Sequence, residues 1–283
     1  MNKVTVAKSA GFCFGVKRAM ELTNECIASE EGPIYTFGPL IHNENVVEDL
    51  KSRGVKVMDE NDDPSDYTPG SVIIRSHGVT EETLERIKSS GHRVIDATCP
   101  FVERIHQLVK EHSLAGEHII VLGDPEHPEV KGIVGWCQTE DITVISTEDE
   151  ARNFESDKDK KFFLVAQTTF NVNKFQDFLE MLIEKEYDIN ALNTICNATK
   201  ERQEEASRIA GEVDAMLVIG GRHSSNSRKL YEICHEACQD TMFIQSAEDF
   251  SPPKPWSISK VGITAGASTP DNIIEEVFRK CQN

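Results

Sequence analysis

The chain has 283 residues, 39% of them hydrophobic, enough for a sizeable core and, by length, for about two domains. Acidic residues outnumber basic ones 48 to 30 for a formal net charge of −18, which argues against nucleic acid and anionic membrane surfaces as partners. Eight scattered cysteines fall well short of a disulfide scaffold, so they read as reduced thiols of a cytoplasmic protein. Any important one is then expected to be a metal ligand or a catalytic group. Met1–Val6 shows no apolar leader, and no run approaches the roughly 18 apolar residues of a membrane span. A soluble chain with no leader, membrane segment or additional fused domain is expected.

Along the chain one unit recurs: a short β-branched run, a polar loop with small residues, then an amphipathic helix. Core strands are predicted at Val4–Val6, Ile34–Phe37, Ser71–Ile74, Arg93–Ile95, His118–Leu122, Phe162–Val165, Ala191–Ile195, Ala215–Ile219 and Lys260–Ile263. Strands alternating with helices predict an α/β fold with mostly parallel sheets. Ligands of such sheets lie beyond the carboxyl ends of the strands, so the loops there are where chemistry is sought. Glu60–Gly70, Glu155–Lys161 and Ser251–Pro255 read as surface loops.

Three of the strand-end loops carry a cysteine in equivalent surroundings. The first strand leads to Gly11-Phe12-Cys13 and a helix with apolar Val16, Ala19, Met20 and Ile27. Arg93–Asp96 leads to Ala97-Thr98-Cys99-Pro100 and a helix with Val102, Ile105, Leu108 and Val109, with Pro100 suited to a first helical turn. Ala191–Ile195 leads to Cys196-Asn197-Ala198-Thr199 and a helix with Ala206, Ile209, Ala210 and Val213. Three similar modules in a pseudo-threefold, trefoil-like arrangement are expected, at residues 1–97, 98–192 and 193–283. A thiol at a helix N-terminus is favoured as the thiolate that metals need. Soft thiolates select zinc, copper(I) or iron–sulfur clusters. None of the three sits in the closely spaced pair usual for structural zinc. A cubane cluster on three thiolates keeps one iron open as a Lewis acid. Burial as three unrelated core cysteines is the competing reading. Cys26, Cys234, Cys238 and Cys281 lie in helix-like segments and Cys137 follows Gly135-Trp136. Cys234 and Cys238 share a helix face, for which packing is the simpler account.

The other strand-end loops are rich in groups that bind phosphate. They are Gly38–Asn43, Arg75–Val79, Gly123–Glu129, Ala166–Thr169, Gly220–Ser227 and Thr264–Thr269. Hydroxyls, amides and small residues opening a helix make an oxyanion site, and histidines add switchable charge. Each stretch alone reads as an N-cap, a solvated histidine or a surface carboxylate. It is their joint recurrence at strand ends that points to one site.

Taken together, Gly11–Val16, His42-Asn43-Glu44, Ser76-His77-Gly78-Val79, Ala97–Pro100, His127-Pro128-Glu129-Val130, Gln167-Thr168-Thr169, Ser224-Ser225-Asn226-Ser227 and Thr264–Ser268 resemble the 4-hydroxy-3-methylbut-2-enyl diphosphate reductases. These enzymes end the methylerythritol phosphate route to isoprenoid precursors. The resemblance runs, in order, along nearly the whole chain. It implies one [4Fe–4S] cluster per chain on Cys13, Cys99 and Cys196, with the fourth iron open to the substrate hydroxyl. It implies an allylic diphosphate substrate, reduced by two electrons with loss of water to isopentenyl and dimethylallyl diphosphate. His42, His77, Ser224, Asn226 and Ser268 are implied to hold the diphosphate, with Ser225 alongside. Glu129 is implied to deliver protons through Thr168, and His127 to position the diphosphate or the proton relay.

Two electrons exceed what one cluster stores, so an external donor such as a ferredoxin or flavodoxin is expected. Such donors are acidic, so docking on so acidic a chain calls for a local basic group such as Lys17 and Arg18. A monomer is expected. The principal alternative is a non-redox [4Fe–4S] hydro-lyase acting on a small anionic substrate; a zinc-stabilised phosphate-binding module is a further one. No strand is followed by G-x-G-x-x-G, which disfavours a nicotinamide dehydrogenase.

Overall fold

Continuous apolar runs such as Ile119–Leu122 suit strands covered on both faces, which is the environment of a parallel sheet. The structure, a computed structural model, describes residues 3–29, 32–251 and 258–282. Pro252–Pro255, within the expected loop at Ser251–Pro255, lie outside the described residues.

The chain begins with β1 (Lys3–Val6), α1 (Phe14–Ser29), β2 (Ile34–Phe37), α2 (Glu44–Ser52) and β3 (Val55–Met58). It continues through β4 (Ser71–Ile74), α3 (Glu81–Ser89), β5 (Arg93–Asp96), α4 (Pro100–Leu114) and β6 (His118–Leu122). Next come α5 (Pro128–Val134), β7 (Ile142–Ile145), α6 (Glu148–Asn153), β8 (Lys161–Ala166), α7 (Val172–Ile183) and β9 (Asp188–Ala191). The remainder is α8 (Asn197–Ala210), β10 (Ala215–Ile219), α9 (Ser225–Ala237), β11 (Thr241–Ile244), β12 (Lys260–Ala265) and α10 (Asp271–Gln282).

These strands form three four-stranded sheets, ordered β1-β12-β10-β11, β5-β4-β2-β3 and β9-β8-β6-β7, with every pairing parallel. The α/β fold with parallel sheets is as expected from the sequence. All three sheets share one plan, because the strand that leads to a cysteine is an edge strand in each. β1 pairs with β12, so the first strand is built into the sheet of the last strands rather than that of β2–β5.

The described residues fall into two compact units. One comprises those of Met1–Lys17, Ile41–Asp49 and Asn197–Asn283, and the other those of Arg18–Leu40 and Leu50–Cys196. In the first unit, one face of the β1 sheet packs Leu217, Ile263, Ile274 and Val277, and the other packs Ala206, Ile209, Met216 and Leu230. In the second, the β6 sheet is covered by Phe170, Phe175 and Phe178 on one side and by Ile105, Val109 and Ile133 on the other. The β4 sheet buries Phe37, Met58, Ile74 and Ile87. Burial of such side chains is the main term holding each sheet to its helices, at about 25 cal/mol per Å² of apolar surface.

Two departures from the expected strands have local causes. β3, β7 and β11 were not expected; each is an edge strand whose burial is mixed, so its sequence lacks the continuous apolar run of the inner strands. The strand expected at Ala191–Ile195 lies at Asp188–Ala191 instead. Beyond Leu192, whose N–H donates to Leu164 O at 2.9 Å, the Thr194 hydroxyl replaces the ladder. It accepts from Ala166 N at 2.8 Å and donates to Ala166 O at 2.5 Å, freeing the backbone to bend toward Cys196.

Candidate active site

Each of the three predicted cysteines immediately precedes a helix. Cys99 caps α4 with extended backbone, and Pro100 supplies the first helical residue with its φ already set. Glu103 N donates to Cys99 O and Lys17 N to Cys13 O, both at 2.9 Å. Each cysteine N–H is in turn received by the loop after the neighbouring inner strand: Cys13 by Ala267 O at 3.3 Å, Cys99 by Ser76 O at 3.0 Å and Cys196 by Thr168 O at 3.1 Å. The acceptors stand beside or within the polar motifs that hold Ser268, His77 and Thr168. One bond, repeated in all three sheets, therefore joins a thiol loop to a polar loop.

The donor set fits a metal centre. All three cysteines are reduced and half-buried, at helix N-termini where the dipole favours an anion. Where Thr80, Thr147 and Ser224 cap α3, α6 and α9 with their hydroxyls, the Cys99 side chain makes no capping bond. Cys26, Cys234, Cys238 and Cys281 differ, being buried, the last three within apolar clusters. Burial pushes the Cys234 thiol up to about 12 and the Cys281 thiol to about 11, which keeps both protonated. Cys137 is half-buried, its sulfur 3.8 Å from the Thr139 hydroxyl.

Within the first unit lie Cys13, His42, Ser224, Ser225, Asn226 and Ser268. The Asn43 amide donates to Ser268 O at 2.8 Å, fixing the His42 loop to the β12 loop. Ser224 caps α9, accepting from Ser227 N and from the Ser227 hydroxyl at 3.0 Å. A Cβ on Gly266 would stand 2.0 Å from Ser227 Oγ, so only glycine lets the β12 loop approach α9 this closely. Asn226 is 5% exposed, yet neither its amide nitrogen nor its amide oxygen has a hydrogen-bond partner. A buried orphan amide at a helix N-terminus is costly to keep and suited to a ligand rich in oxygen atoms.

The second unit holds His77, Cys99, His127, Glu129, Thr168 and Cys196. His127 caps α5 and its Nδ1 accepts from Glu129 N at 3.1 Å, which leaves the ring proton of the neutral form on Nε2. The His77 and His127 rings meet edge to face with centroids 5.3 Å apart. Arg75, buried and paired through its two terminal guanidinium nitrogens with Glu60, steadies the turn that carries Ser76 and His77. Gly78 holds a positive φ of 71° there, and a Cβ on it would lie 2.6 Å from the His106 ring.

Glu129 is 2% exposed. Thr168 N donates to its Oε1 at 2.5 Å and Thr168 Oγ1 is 2.7 Å from Oε2. Burial raises the carboxyl to about 7, and the Thr168 bonds pull only partly the other way. A carboxyl in this state both holds and releases a proton near neutrality. The predicted relay pair is thus in contact, and Thr168 O ties the pair to Cys196.

Sequence reasoning passed over Arg202, Glu205 and Thr194, which shape these loops. Arg202 could have been found: it stands one turn before Ala206 and two before Ile209, a charge on the buried stripe of α8. Arg18, expected to offer docking charge, turns inward and donates to Thr98 O at 3.0 Å and Asp96 O at 3.3 Å. Lys17 is exposed.

Parallel sheets, thiols at helix N-termini, a turn of buried hydroxyls and amides and a buried acid are the features of an α/β metalloenzyme class. Residues 4–282 match the family model described as LytB protein, and the chain belongs to this family. It is 43% identical over 280 residues to the 4-hydroxy-3-methylbut-2-enyl diphosphate reductase of Clostridioides difficile strain 630, covering 99% of each chain. It is 42% identical over 282 residues to the enzyme of the same name from Caldanaerobacter subterraneus, covering 99% of this chain and 97% of that one. Among solved structures it superposes on the (E)-1-hydroxy-2-methyl-but-2-enyl-4-diphosphate reductase of Plasmodium falciparum with TM-score 0.93 at 27% identity, over 100% of this chain and 89% of that one. Against the solved structure of an (E)-4-hydroxy-3-methyl-but-2-enyl diphosphate reductase, the TM-score is 0.70 at 39% identity, covering 100% of this chain and 99% of that one. The resemblance noted in the sequence is borne out. The family implies an iron–sulfur cofactor.

Proposed function

We infer that this chain reduces (E)-4-hydroxy-3-methylbut-2-enyl diphosphate to isopentenyl and dimethylallyl diphosphate, the activity for which its relatives are named. The observation that carries the residue-level reading is the buried Glu129–Thr168 pair bonded to the Cys196 loop. The hydro-lyase alternative is not favoured, because the relatives are named as reductases.

Cys13, Cys99 and Cys196 would hold the cofactor, one [4Fe–4S] cluster per chain on three protein ligands. The donor set of three half-buried thiols at helix N-termini supports this assignment. When bound, such a cluster supplies electrons and a Lewis-acidic site for the departing hydroxyl. The balance of the reaction is two electrons and two protons taken up, one C–O bond broken, one C–H bond formed and one water released. The electrons come from an external one-electron donor such as a ferredoxin or flavodoxin. Chemistry confined to the cytoplasm by a monomeric enzyme completes the reading. The three modules, 1–97, 98–192 and 193–283, are part of it, with β1 lent to the sheet of the third.

This chain's own groups bind and orient the substrate and move its protons. Asn226, Ser224, Ser225 and Ser268 offer N–H and O–H donors to the diphosphate, with His42, His77 and His127 adding imidazole donors. The buried amide of Asn226 supports this role, since a diphosphate oxygen satisfies its nitrogen. Glu129 holds a proton near neutral pH and passes it through the Thr168 hydroxyl, which first donates to the carboxylate and then accepts from the acid. Anaerobic turnover with a chemical reductant and the allylic diphosphate tests the whole assignment. Formation of both five-carbon diphosphates is expected, and dehydration without reductant would refute it.

A further inference from the structure

Two arginines fasten the Cys13 and Cys99 loops. Arg202 of α8 is 3% exposed, and its Nη2 donates to Gly11 O at 2.8 Å, two residues before Cys13. Its Nη1 donates to Ala198 O at 3.1 Å in the first turn of its own helix. Glu205, one turn further on, accepts from Lys8 N at 3.0 Å, Ser9 N at 2.8 Å and Ser9 Oγ at 2.7 Å, so α8 grips the whole approach to Cys13. Arg18 of α1 does the same elsewhere. Its Nη1 and Nη2 reach Thr98 O, directly before Cys99, and Asp96 O. In each case the helix following one cysteine carries a guanidinium that holds the loop of a different cysteine.

A guanidinium stays charged at every pH relevant to the protein. Successive Cα atoms are about 3.8 Å apart, so each cation is fixed within one or two residue lengths of a cysteine backbone. Burial limits the screening of the Arg202 charge, whereas Arg18 is half-buried and its charge acts through its direct bonds to the Cys99 loop. A nearby positive charge favours whichever oxidation state carries more electrons, and charge near an iron–sulfur site is one of the protein's means of tuning its potential.

We propose that Arg18 and Arg202 are positioning residues that set the reduction potential of the centre held by the three cysteines, each locking a cysteine loop and fixing a positive charge beside it. This rests on the iron–sulfur reading above. The test is a potentiometric titration followed by electron paramagnetic resonance, with iron and acid-labile sulfide assayed on the same anaerobically reconstituted samples. Wild type is compared with Arg18→Gln, Arg18→Lys, Arg202→Gln and Arg202→Lys. At a fixed solution potential the reduced-to-oxidised ratio should fall about three- to tenfold in each Gln variant, tenfold being about 59 mV for one electron. The Lys variants should stay within about twofold of wild type, because they keep the charge. A Gln variant with full iron and an unchanged ratio overturns the proposal. If a Gln variant retains no iron, its Lys counterpart decides: a loaded centre at the wild-type ratio supports the role of charge, and loss of loading or of the ratio overturns it. Wild-type protein lacking iron and sulfide after reconstitution would instead remove the functional reading on which the proposal rests.

Discussion

Thr168 holds both carboxyl oxygens of Glu129, its N–H donating to Oε1 at 2.5 Å and its hydroxyl lying 2.7 Å from Oε2. The backbone bond is fixed in direction, whereas the hydroxyl bond can reverse. Glu129 can therefore be protonated on Oε2 without losing a partner, which is what a relay through a hydroxyl requires.

Replacing Glu129 with Gln keeps the shape and both contacts, since the amide oxygen accepts from Thr168 N and the amide nitrogen donates to Thr168 Oγ1. Turnover should fall about 10²- to 10⁴-fold, the usual share of a general acid. Pyrophosphate binding measured by calorimetry should be retained. Wild-type turnover in this variant would remove Glu129 from its role.

The same carboxyl predicts a pH dependence of opposite sense to that of an ordinary acid. Its folded value near 7 lies above the ordinary 4.5, so between these values the folded protein keeps a proton that the unfolded chain has released. This group's contribution to stability is therefore best at the acid end and declines as pH rises to about 7, by about 3 kcal/mol in total. Urea melts of wild type and Glu129→Gln between these limits should diverge as pH rises, with the variant favoured at pH 8. Turnover limited by the protonated acid should decline above pH 7.

Asn226 poses a choice between stability and binding. Substitution by Leu, of similar shape, removes two buried orphan atoms and should raise stability by about 1–3 kcal/mol. Pyrophosphate affinity should drop at least tenfold. Equal melting temperatures with equal affinity would contradict both halves of this account.

Cysteine substitutions should sort by surroundings. Cys13→Ser, Cys99→Ser and Cys196→Ser are expected to lose most bound iron and all turnover. Cys26→Ser and Cys281→Ser sit in buried packing positions and should retain both. Iron and sulfide analysis after oxygen-free purification separates the groups, and full activity in Cys196→Ser would contradict its assignment.

Thr194→Val tests how the bend before Cys196 is made. Losing the hydroxyl leaves Ala166 N and O without it and should cost about 1–3 kcal/mol in a chemical denaturation midpoint experiment. An unchanged midpoint would show that the bend is held by other contacts.

The inner strands were legible because apolar runs such as Ile119–Leu122 and Ala215–Ile219 have no other place to go. The thiol loops were legible because each stands between such a strand and an amphipathic helix. Val55–Met58, Ile142–Ile145 and Thr241–Ile244 escaped notice since an edge strand is stabilised by one neighbour's ladder more than by its own side chains. The displaced strand before Cys196 escaped for a different reason. A threonine reads as a good strand former, and only its partner Ala166 reveals that the side chain stands in for backbone. The Glu129–Thr168 contact joins residues 39 positions apart and emerges only when β6 and β8 pair. Arg202 and Glu205 serve carbonyls and amides nearly two hundred residues away, a relationship no local pattern encodes.

Each thiol loop hangs from a strand anchored on a single side: β1 on β12, β5 on β4 and β9 on β8. Such strands open at lower free energy than the doubly flanked ones inside the sheet. Local fraying of these strands would loosen the cysteine loops while the doubly flanked β2, β6 and β10 stay closed. Amide deuteration should therefore reach β1, β5 and β9, like the opposite edges β3, β7 and β11, before the doubly flanked strands, so the ground beneath each thiol is among the first parts of its sheet to yield.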